Sequence, residues 1–272
     1  MNYVTYAQLA KDVAAWSERL PRNYDAIVAV PRSGIIPAAM LALHRNIKLT
    51  DIVSFRGCSY LDGGYRDHKK IVSRVLVVDD SSLSGKSLSR AREMLSGIKD
   101  IQIDYGAVYV HNLAPKYYFK RLPAPRIFEW NVYHHYWLRF ACVDIDGVLC
   151  RDPSAAENDD SDKYLTFLQN AQPRHLPTVA INTLVTSRLE RYRRETVIWL
   201  AEHGITYSKL IMHPASTAHS RRQAGDHAER KAQVYRSDEY RLFIESSTRQ
   251  AIKINLLTRK PVLCTDENRL YV

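Results

Sequence analysis

Val75-Leu76-Val77-Val78-Asp79-Asp80-Ser81-Ser82-Leu83-Ser84-Gly85-Lys86-Ser87 decides how the first half of the chain is read. Four consecutive apolar side chains belong to a strand buried on both faces, as in parallel sheets. Two adjacent carboxylates follow at its carboxyl end, where open α/β sheets bind their ligands. The Ser/Gly-rich turn then offers backbone N–H groups and the hydroxyls of Ser81, Ser84 and Ser87 to one anion at the start of a helix. That combination describes a phosphate pocket. Gly85-Lys86-Ser87 has the ending of a Walker A loop, but such a loop needs a glycine five positions before Gly85, where Asp80 stands. A carboxylate there would repel a triphosphate.

Working outward, Ala26-Ile27-Val28-Ala29-Val30 is another continuous apolar run, closed by Pro31 and followed by Arg32-Ser33-Gly34. Apolar side chains at three- and four-residue spacing predict helices over residues 6–20, 35–44 and 87–95. Strands are expected at 52–55 and 103–109, with a loop rich in Gly, Tyr and charge at 56–70. Residues 114–137 hold three prolines and eight aromatics and read as a cover for one end of the sheet. From residue 138 the pattern restarts, with strands at 140–143, 179–185, 209–212 and 242–244 and helices at 163–170, 189–203, 222–235 and 248–254. The expected fold class is α/β, with two doubly wound parallel-sheet domains, 1–137 and 138–272.

Of the 272 residues, 46% are hydrophobic and 25% charged, with 10 Gly and 11 Pro, which excludes a disordered or collagenous chain. The balance of 39 Lys+Arg against 29 Asp+Glu gives +10, most of it in the first half. Charge alone does not choose among nucleic acid, a phosphorylated small substrate and an anionic membrane surface. No run of Lys/Arg interleaved with aromatics occurs, which disfavours nucleic acid. Cys58, Cys142, Cys150 and Cys264 lack CxxC spacing, so neither a zinc knuckle nor a disulfide framework is expected. The N-terminus has no apolar signal core, and no stretch of about 18 apolar residues appears. A cytoplasmic protein without a membrane span is expected, and homo-oligomerisation is left open.

The apolar strand, two acids and turn ending in Ser84-Gly85-Lys86-Ser87 resemble the ribose-phosphate motif of type I phosphoribosyltransferases. The resemblance implies a site for phosphoribosyl pyrophosphate (PRPP). Asp79 and Asp80 would hold the ribose hydroxyls, directly or through Mg²⁺. Ser81, Ser82, Ser84, Gly85, Lys86 and Ser87 would hold the 5-phosphate. Arg32, Ser33 and Gly34 would receive the pyrophosphate, and the 56–70 loop, with Tyr60, Tyr65, Arg66, Lys69 and Lys70, would be a closing flap. Leu83 stands where purine-salvage members carry an acid that assists the base, which weighs against a purine acceptor.

In the second half, Cys142-Val143-Asp144-Ile145-Asp146-Gly147-Val148-Leu149 places two carboxylates two residues apart after an apolar strand. An EF-hand would spread its ligands over about 12 positions. The segment resembles motif I of the haloacid dehalogenase-like (HAD) superfamily. That resemblance implies an aspartyl-phosphate phosphatase in which Asp144 attacks phosphorus and Asp146 first protonates the leaving oxygen and then activates water. It also implies Mg²⁺ held by Asp144, Asp146 and Glu245, a phosphoryl contact from Thr186 in Thr186-Ser187-Arg188, and charge neutralisation by Lys231. Ser246 departs from the family, which usually has a second acid there. There is little room for a cap insertion, so a minimal cap and an open site are expected.

Together the halves resemble two-domain enzymes that transfer 5-phosphoribosyl to an acceptor and then remove its 5-phosphate, supplying ribofuranose to bacterial polysaccharides. A glycan hydroxyl is the expected acceptor, supported by Leu83, the small cap and an aromatic set of Tyr117, Tyr118, Phe128, Trp130, Tyr133, Tyr136 and Trp137 suited to stacking on sugars. The alternatives are a nucleobase phosphoribosyltransferase fused to a nucleotide 5-phosphatase and a PRPP-sensing regulator. Intact Asp79-Asp80 and Asp144-Asp146 pairs argue against the regulator.

Overall fold

A computed structural model describes residues 1–61 and 71–272. The chain divides into compact units Asn2–Trp130 and Asn131–Val272. The division precedes the expected 137/138 because the 3₁₀ turns Glu129–His134 and Tyr136–Phe140 lead into the second unit. There Thr178 N donates to the Tyr133 carbonyl at 3.1 Å, and His134 Nδ1 lies 3.0 Å from Thr178 Oγ1.

The first unit runs β1 (Asn2–Val4), α1 (Tyr6–Arg19), β2 (Ala26–Ala29), α2 (Ile35–Arg45), β3 (Lys48–Asp51), α3 (Ile52–Arg56), β4 (Arg74–Ser82), α4 (Lys86–Leu95), β5 (Gln102–Val110), β6 (Tyr117–Arg121) and β7 (Arg126–Phe128). Its five-stranded sheet has the order β3-β2-β4-β5-β6, every pair parallel, while β1 pairs with β7 separately. The period of two explains why the central strands read as unbroken apolar runs. Ile27, Ala29, Leu76 and Val78 pack with Leu9, Val13 and Trp16 of α1 and Leu41 of α2. Their alternates Ala26, Val28, Val75 and Val77 pack with Phe55 of α3 and Leu88, Ala91 and Leu95 of α4. The sheet is therefore covered on both faces.

Residues 52–55, expected as a strand, are helical. Asp51 caps them, its carboxylate accepting from Val53 N at 2.8 Å and Ser54 N at 3.3 Å, and the strand is instead Lys48–Asp51. Of the expected flap, residues 62–70, with Tyr65, Arg66, Lys69 and Lys70, lie outside the described residues.

The second unit runs β8 (Ala141–Val143), α5 (Asp162–Asn170), β9 (Ile181–Leu189), α6 (Arg193–Glu202), β10 (Tyr207–His213), α7 (Ala218–Ala224), α8 (His227–Tyr235), β11 (Leu242–Glu245), α9 (Thr248–Thr258), β12 (Val262–Cys264) and β13 (Arg269–Tyr271). Its six-stranded sheet has the order β10-β9-β8-β11-β12-β13, parallel except for the edge strand β13. Cys142, Val185, Phe243 and Val262 pack against Ala228, Ala232 and Tyr235 of α8 and Ala251 and Ile254 of α9. Val143, Leu184 and Ile244, the alternating positions, are buried toward the opposite face. The single helix expected over 222–235 is two helices, broken where Gly225 takes φ 59° and ends α7. Likewise the helix expected from 189 begins at Arg193, because β9 continues to Leu189. No helix among the described residues is long and apolar enough to cross a membrane.

Candidate functional site

Asp79 and Asp80 lie near the carboxyl end of β4, each 5% exposed. Asp79 Oδ1 accepts from Asp80 N at 2.9 Å, and Asp80 Oδ2 accepts from the Trp130 indole Nε1 at 2.7 Å. Burial pushes both carboxyls up, and the charge of Asp80 raises Asp79 further, whereas the Trp130 hydrogen bond opposes the rise at Asp80. The pair thus crowds two carboxyls together, with the buried Arg126 as the cation that favours the charged form of Asp80, and its oxygens suit polarised hydroxyls or a hard cation.

Gly34 brings the Arg32-Ser33-Gly34 loop against these acids. A Cβ on Gly34 would lie 2.5 Å from the Val30 carbonyl, 2.7 Å from the Val78 carbonyl and 3.1 Å from Asp79 Cα, so the approach is backbone to backbone. The Pro31–Arg32 peptide is cis, and Arg32 is exposed. On the other side Ser84, Lys86 and Ser87 are exposed around the start of α4. Gly85, at φ 78°, precedes that helix with no side-chain cap, leaving its first N–H groups open to an anion. Ser81 is half-buried. Ser82 differs from the expectation: its hydroxyl is buried within β4 and has no hydrogen-bond partner among the described residues.

The aromatic set is divided between the units, with Tyr117, Tyr118, Phe128 and Trp130 in the first and Tyr133, Tyr136 and Trp137 in the second. Phe128 is buried and stacks between Tyr109 and Trp130, and Tyr6 tilts against Trp130 at 5.6 Å. Tyr133, Tyr136 and Trp137 belong to the second unit, where they pack on His175, on each other and on Phe140. Of the set Phe128 alone is buried, while Tyr118 and Tyr136 are exposed.

In the second unit Asp144 follows β8 and is 5% exposed. Its Oδ1 accepts from Ile145 N at 2.8 Å and its Oδ2 from Lys231 Nζ at 2.6 Å. Lys231, on α8, also donates to Glu245 Oε2 at 2.7 Å, and Glu245 ends β11 fully buried. One ammonium thus serves two carboxylates. Burial, with the charges of Glu245 and Asp146, outweighs Lys231 and pushes Asp144 up to about 8, while the two carboxylates hold Lys231 protonated. Gly147 has φ 75°, and a Cβ there would meet Ser246 Oγ at 2.2 Å. Thr186 Oγ1, on β9, accepts from Arg188 N at 3.2 Å.

Asp146 has a partner that the sequence did not reveal. Arg188, fully buried, holds it in a fork, with Nη2 at 2.7 Å from Oδ1 and Nε at 3.1 and 3.2 Å from the two oxygens. Phe167 and Trp199 flank the guanidinium at 5.9 and 6.0 Å. Asp144, Asp146, Lys231 and Glu245 open on a cleft of about 500 Å³ that Asp152, Tyr164, Arg221 and Asp266 also line.

The expected metal triad is not assembled. Among the described residues no group of three His, Cys, Asp or Glu side chains converges as a metal site. The reason is electrostatic: Lys231 stands between Asp144 and Glu245, and Asp146 is turned to Arg188. In kind, however, the donors fit Mg²⁺, since five acids supply hard oxygen ligands to the cleft. Burial and the charge of Asp146 also raise Asp152, a further sign of uncompensated negative charge.

No protein-family model matches the chain. It is similar to the xanthine-guanine phosphoribosyltransferase of Chromohalobacter salexigens, at 35% identity over 97 residues, covering 34% of this chain and 60% of that protein. The xanthine-guanine phosphoribosyltransferase of Nitratidesulfovibrio vulgaris is 30% identical over 99 residues, covering 34% of this chain and 61% of that protein. The chain therefore spans about 60% of the length of these curated relatives. Among solved structures, the Helicobacter pylori xanthine-guanine-hypoxanthine phosphoribosyltransferase aligns with 48% of this chain and 92% of its own, at 19% identity and a TM-score of 0.38.

Proposed function

We propose that the first unit transfers 5-phosphoribosyl from PRPP to an acceptor, and that the second, a HAD-like phosphatase, removes the 5-phosphate from the product. The observation that carries the reading is the buried Asp79–Asp80 pair with the Gly34 loop pressed against it at the carboxyl end of β4. The similarity to xanthine-guanine phosphoribosyltransferases supports the same chemistry.

In the transfer step the C1–O bond to pyrophosphate breaks as the acceptor oxygen bonds to C1, and the acceptor's proton passes to the departing diphosphate. Asp79 and Asp80 orient the ribose hydroxyls, Ser81, Ser84 and Ser87 with the open N–H groups of α4 hold the 5-phosphate, and Arg32 with the Ser33 and Gly34 amides stabilises the departing diphosphate. Positioning and charge stabilisation account for the rate. In the second unit Asp144 bonds to phosphorus as the P–O5 bond breaks, and Asp146 gives its proton to the leaving oxygen. Asp146 then takes a proton from the water that attacks phosphorus as the P–O bond to Asp144 breaks, which frees the Asp144 carboxylate and releases inorganic phosphate. Thr186 and Lys231 steady the phosphoryl oxygens. Mg²⁺ would be held by oxygen donors drawn from the five acids of the cleft, Asp144, Asp146, Asp152, Glu245 and Asp266, and would offset the charge between an anionic nucleophile and an anionic substrate.

A glycan hydroxyl is the proposed acceptor, because Leu83, half-exposed at 49%, occupies the turn where an acid would assist a base. The relatives' names favour a second reading, a nucleobase acceptor followed by a nucleotide 5-phosphatase. PRPP incubated with sugar acceptors and with free purines, read as pyrophosphate release, decides between them. Asp144→Asn should let the phosphorylated product accumulate. Release of neither pyrophosphate nor phosphate with any acceptor removes both readings.

A further inference from the structure

Three basic side chains are buried around the cleft of the second unit, and the protein neutralises two of them. Lys231 lies between Asp144 and Glu245, and Arg188 forks onto Asp146. The third, Arg221 on α7, is 7% exposed and pairs with no carboxylate among the described residues. Its Nη1 donates to the Ser187 carbonyl at 2.8 Å and its Nη2 reaches Asn158 Oδ1 at 3.4 Å, both neutral acceptors. Its Nε is buried with no acceptor at all. A buried guanidinium without a counter-charge is costly. Since it forms part of the cleft wall, the missing charge can come from a ligand.

The group that Asp144 attacks is met at the strand ends by Lys231, and no hydrogen bond joins Arg221 to Asp144, Asp146, Lys231 or Glu245 among the described residues. Arg221 is anchored instead on Asn158 and Ser187, beside Tyr164 and His227. Tyr164 is buried against it, and His227 Nδ1 lies 2.9 Å from Ser187 Oγ. We infer that Arg221, with His227 and Tyr164 beside it, is a second anion subsite, so that the substrate of this unit is a phosphomonoester carrying a further phosphate-type oxyanion, which the acceptor part of the ribosylated product must bring. The inference rests on the phosphatase reading and adds the class of substrate. A monoester with a single phosphate leaves Arg221 uncompensated, and one with two satisfies it.

The test compares ribose 5-phosphate with ribose 1,5-bisphosphate as substrates of the full chain with Mg²⁺. The wild type should favour the bisphosphate by about tenfold or more in kcat/KM, one well-made charge-assisted contact. Arg221→Gln should abolish that preference while changing ribose 5-phosphate hydrolysis less than about threefold, and Arg221→Lys should retain part of it. A preference that survives in Arg221→Gln, or equal losses on both substrates, overturns the subsite. If Arg221→Gln does not fold, Arg221→Lys carries the comparison: a reduced preference for the bisphosphate supports the subsite, and an unchanged preference overturns it. Should the wild type hydrolyse neither compound, the phosphatase reading fails, and calorimetric titration of both into the Asp144→Asn protein judges Arg221 on binding alone. Tighter binding of the bisphosphate that is lost on adding Arg221→Gln supports the subsite, and equal affinities remove it.

Discussion

The indole Nε1 of Trp130 donates to Asp80 Oδ2 across 2.7 Å, joining residues 50 positions apart. The ring is stacked on Phe128 at 4.9 Å and tilted against Tyr6 at 5.6 Å. Asp80 is therefore oriented by a donor that cannot easily move. Trp130→Phe keeps the ring contacts and deletes the hydrogen bond. A bond to a charged acceptor is worth about 1.5–3 kcal/mol, so kcat/KM for PRPP should fall about 10- to 100-fold with little change in melting temperature. Unchanged kinetics would separate Asp80 from the reaction.

Asp79 supplies a pH dependence whose sign can be worked out. Its carboxyl is pushed from 3.8 to about 8, first by burial and then by the charge of Asp80. A group whose folded value lies above its unfolded one contributes stability that is complete below the unfolded value and is lost as the pH rises through the folded one. The wild type should therefore lose this contribution between pH 3.8 and about 8. Asp79→Asn cannot ionise, so its melting temperature relative to wild type should increase from pH 5 to pH 9. A difference that stays flat with pH refutes the assignment.

Gly34 tests the backbone approach independently of charge. A methyl group there would sit 2.5 Å from one carbonyl and 2.7 Å from another, both main-chain atoms. Overpacking of this kind costs about 1–3 kcal/mol. Gly34→Ala should lower stability by that amount and weaken PRPP binding, as read by denaturant titration and calorimetry. A variant with wild-type stability would show that the loop stands further from β4.

Both carboxylate pairs were legible in the sequence because each follows an apolar run long enough to force a buried strand, and strand ends are where ligands bind. Helix α3 was not, since Ile52-Val53-Ser54-Phe55 has strand composition and its conformation is decided by the Asp51 cap. The division of residues 222–235 turned on a single glycine, Gly225, whose φ of 59° periodicity does not encode. Trp130 and Arg188 were missed as partners of Asp80 and Asp146 for a different reason. Their contacts span 50 and 42 residues, so no local pattern announces them.

Lys231 neutralises two buried carboxylates, and removing it should expose how unequal that balance is. Lys231→Met leaves Asp144 and Glu245 buried without their cation, a loss of about 3–5 kcal/mol in comparable buried pairs. Adding Glu245→Gln removes one of the two charges, so the double variant should be more stable than Lys231→Met alone. Chemical denaturation of the single and double variants reads the difference. A double variant less stable than the single one would mean that the two carboxylates do not share the lysine.

Arg188 separates charge from geometry at Asp146. Arg188→Lys retains a buried cation and loses the planar fork that fixes both carboxylate oxygens. If Asp146 must be aimed at the leaving oxygen, the fork matters more to phosphate release than to stability. The expected result is a fall of about 10- to 100-fold in kcat on a phosphomonoester, equivalent to about 1.5–3 kcal/mol, with KM nearly unchanged because substrate binding does not require the aim. A loss confined to KM would place Asp146 in binding, and full activity would show that a single charge holds it well enough.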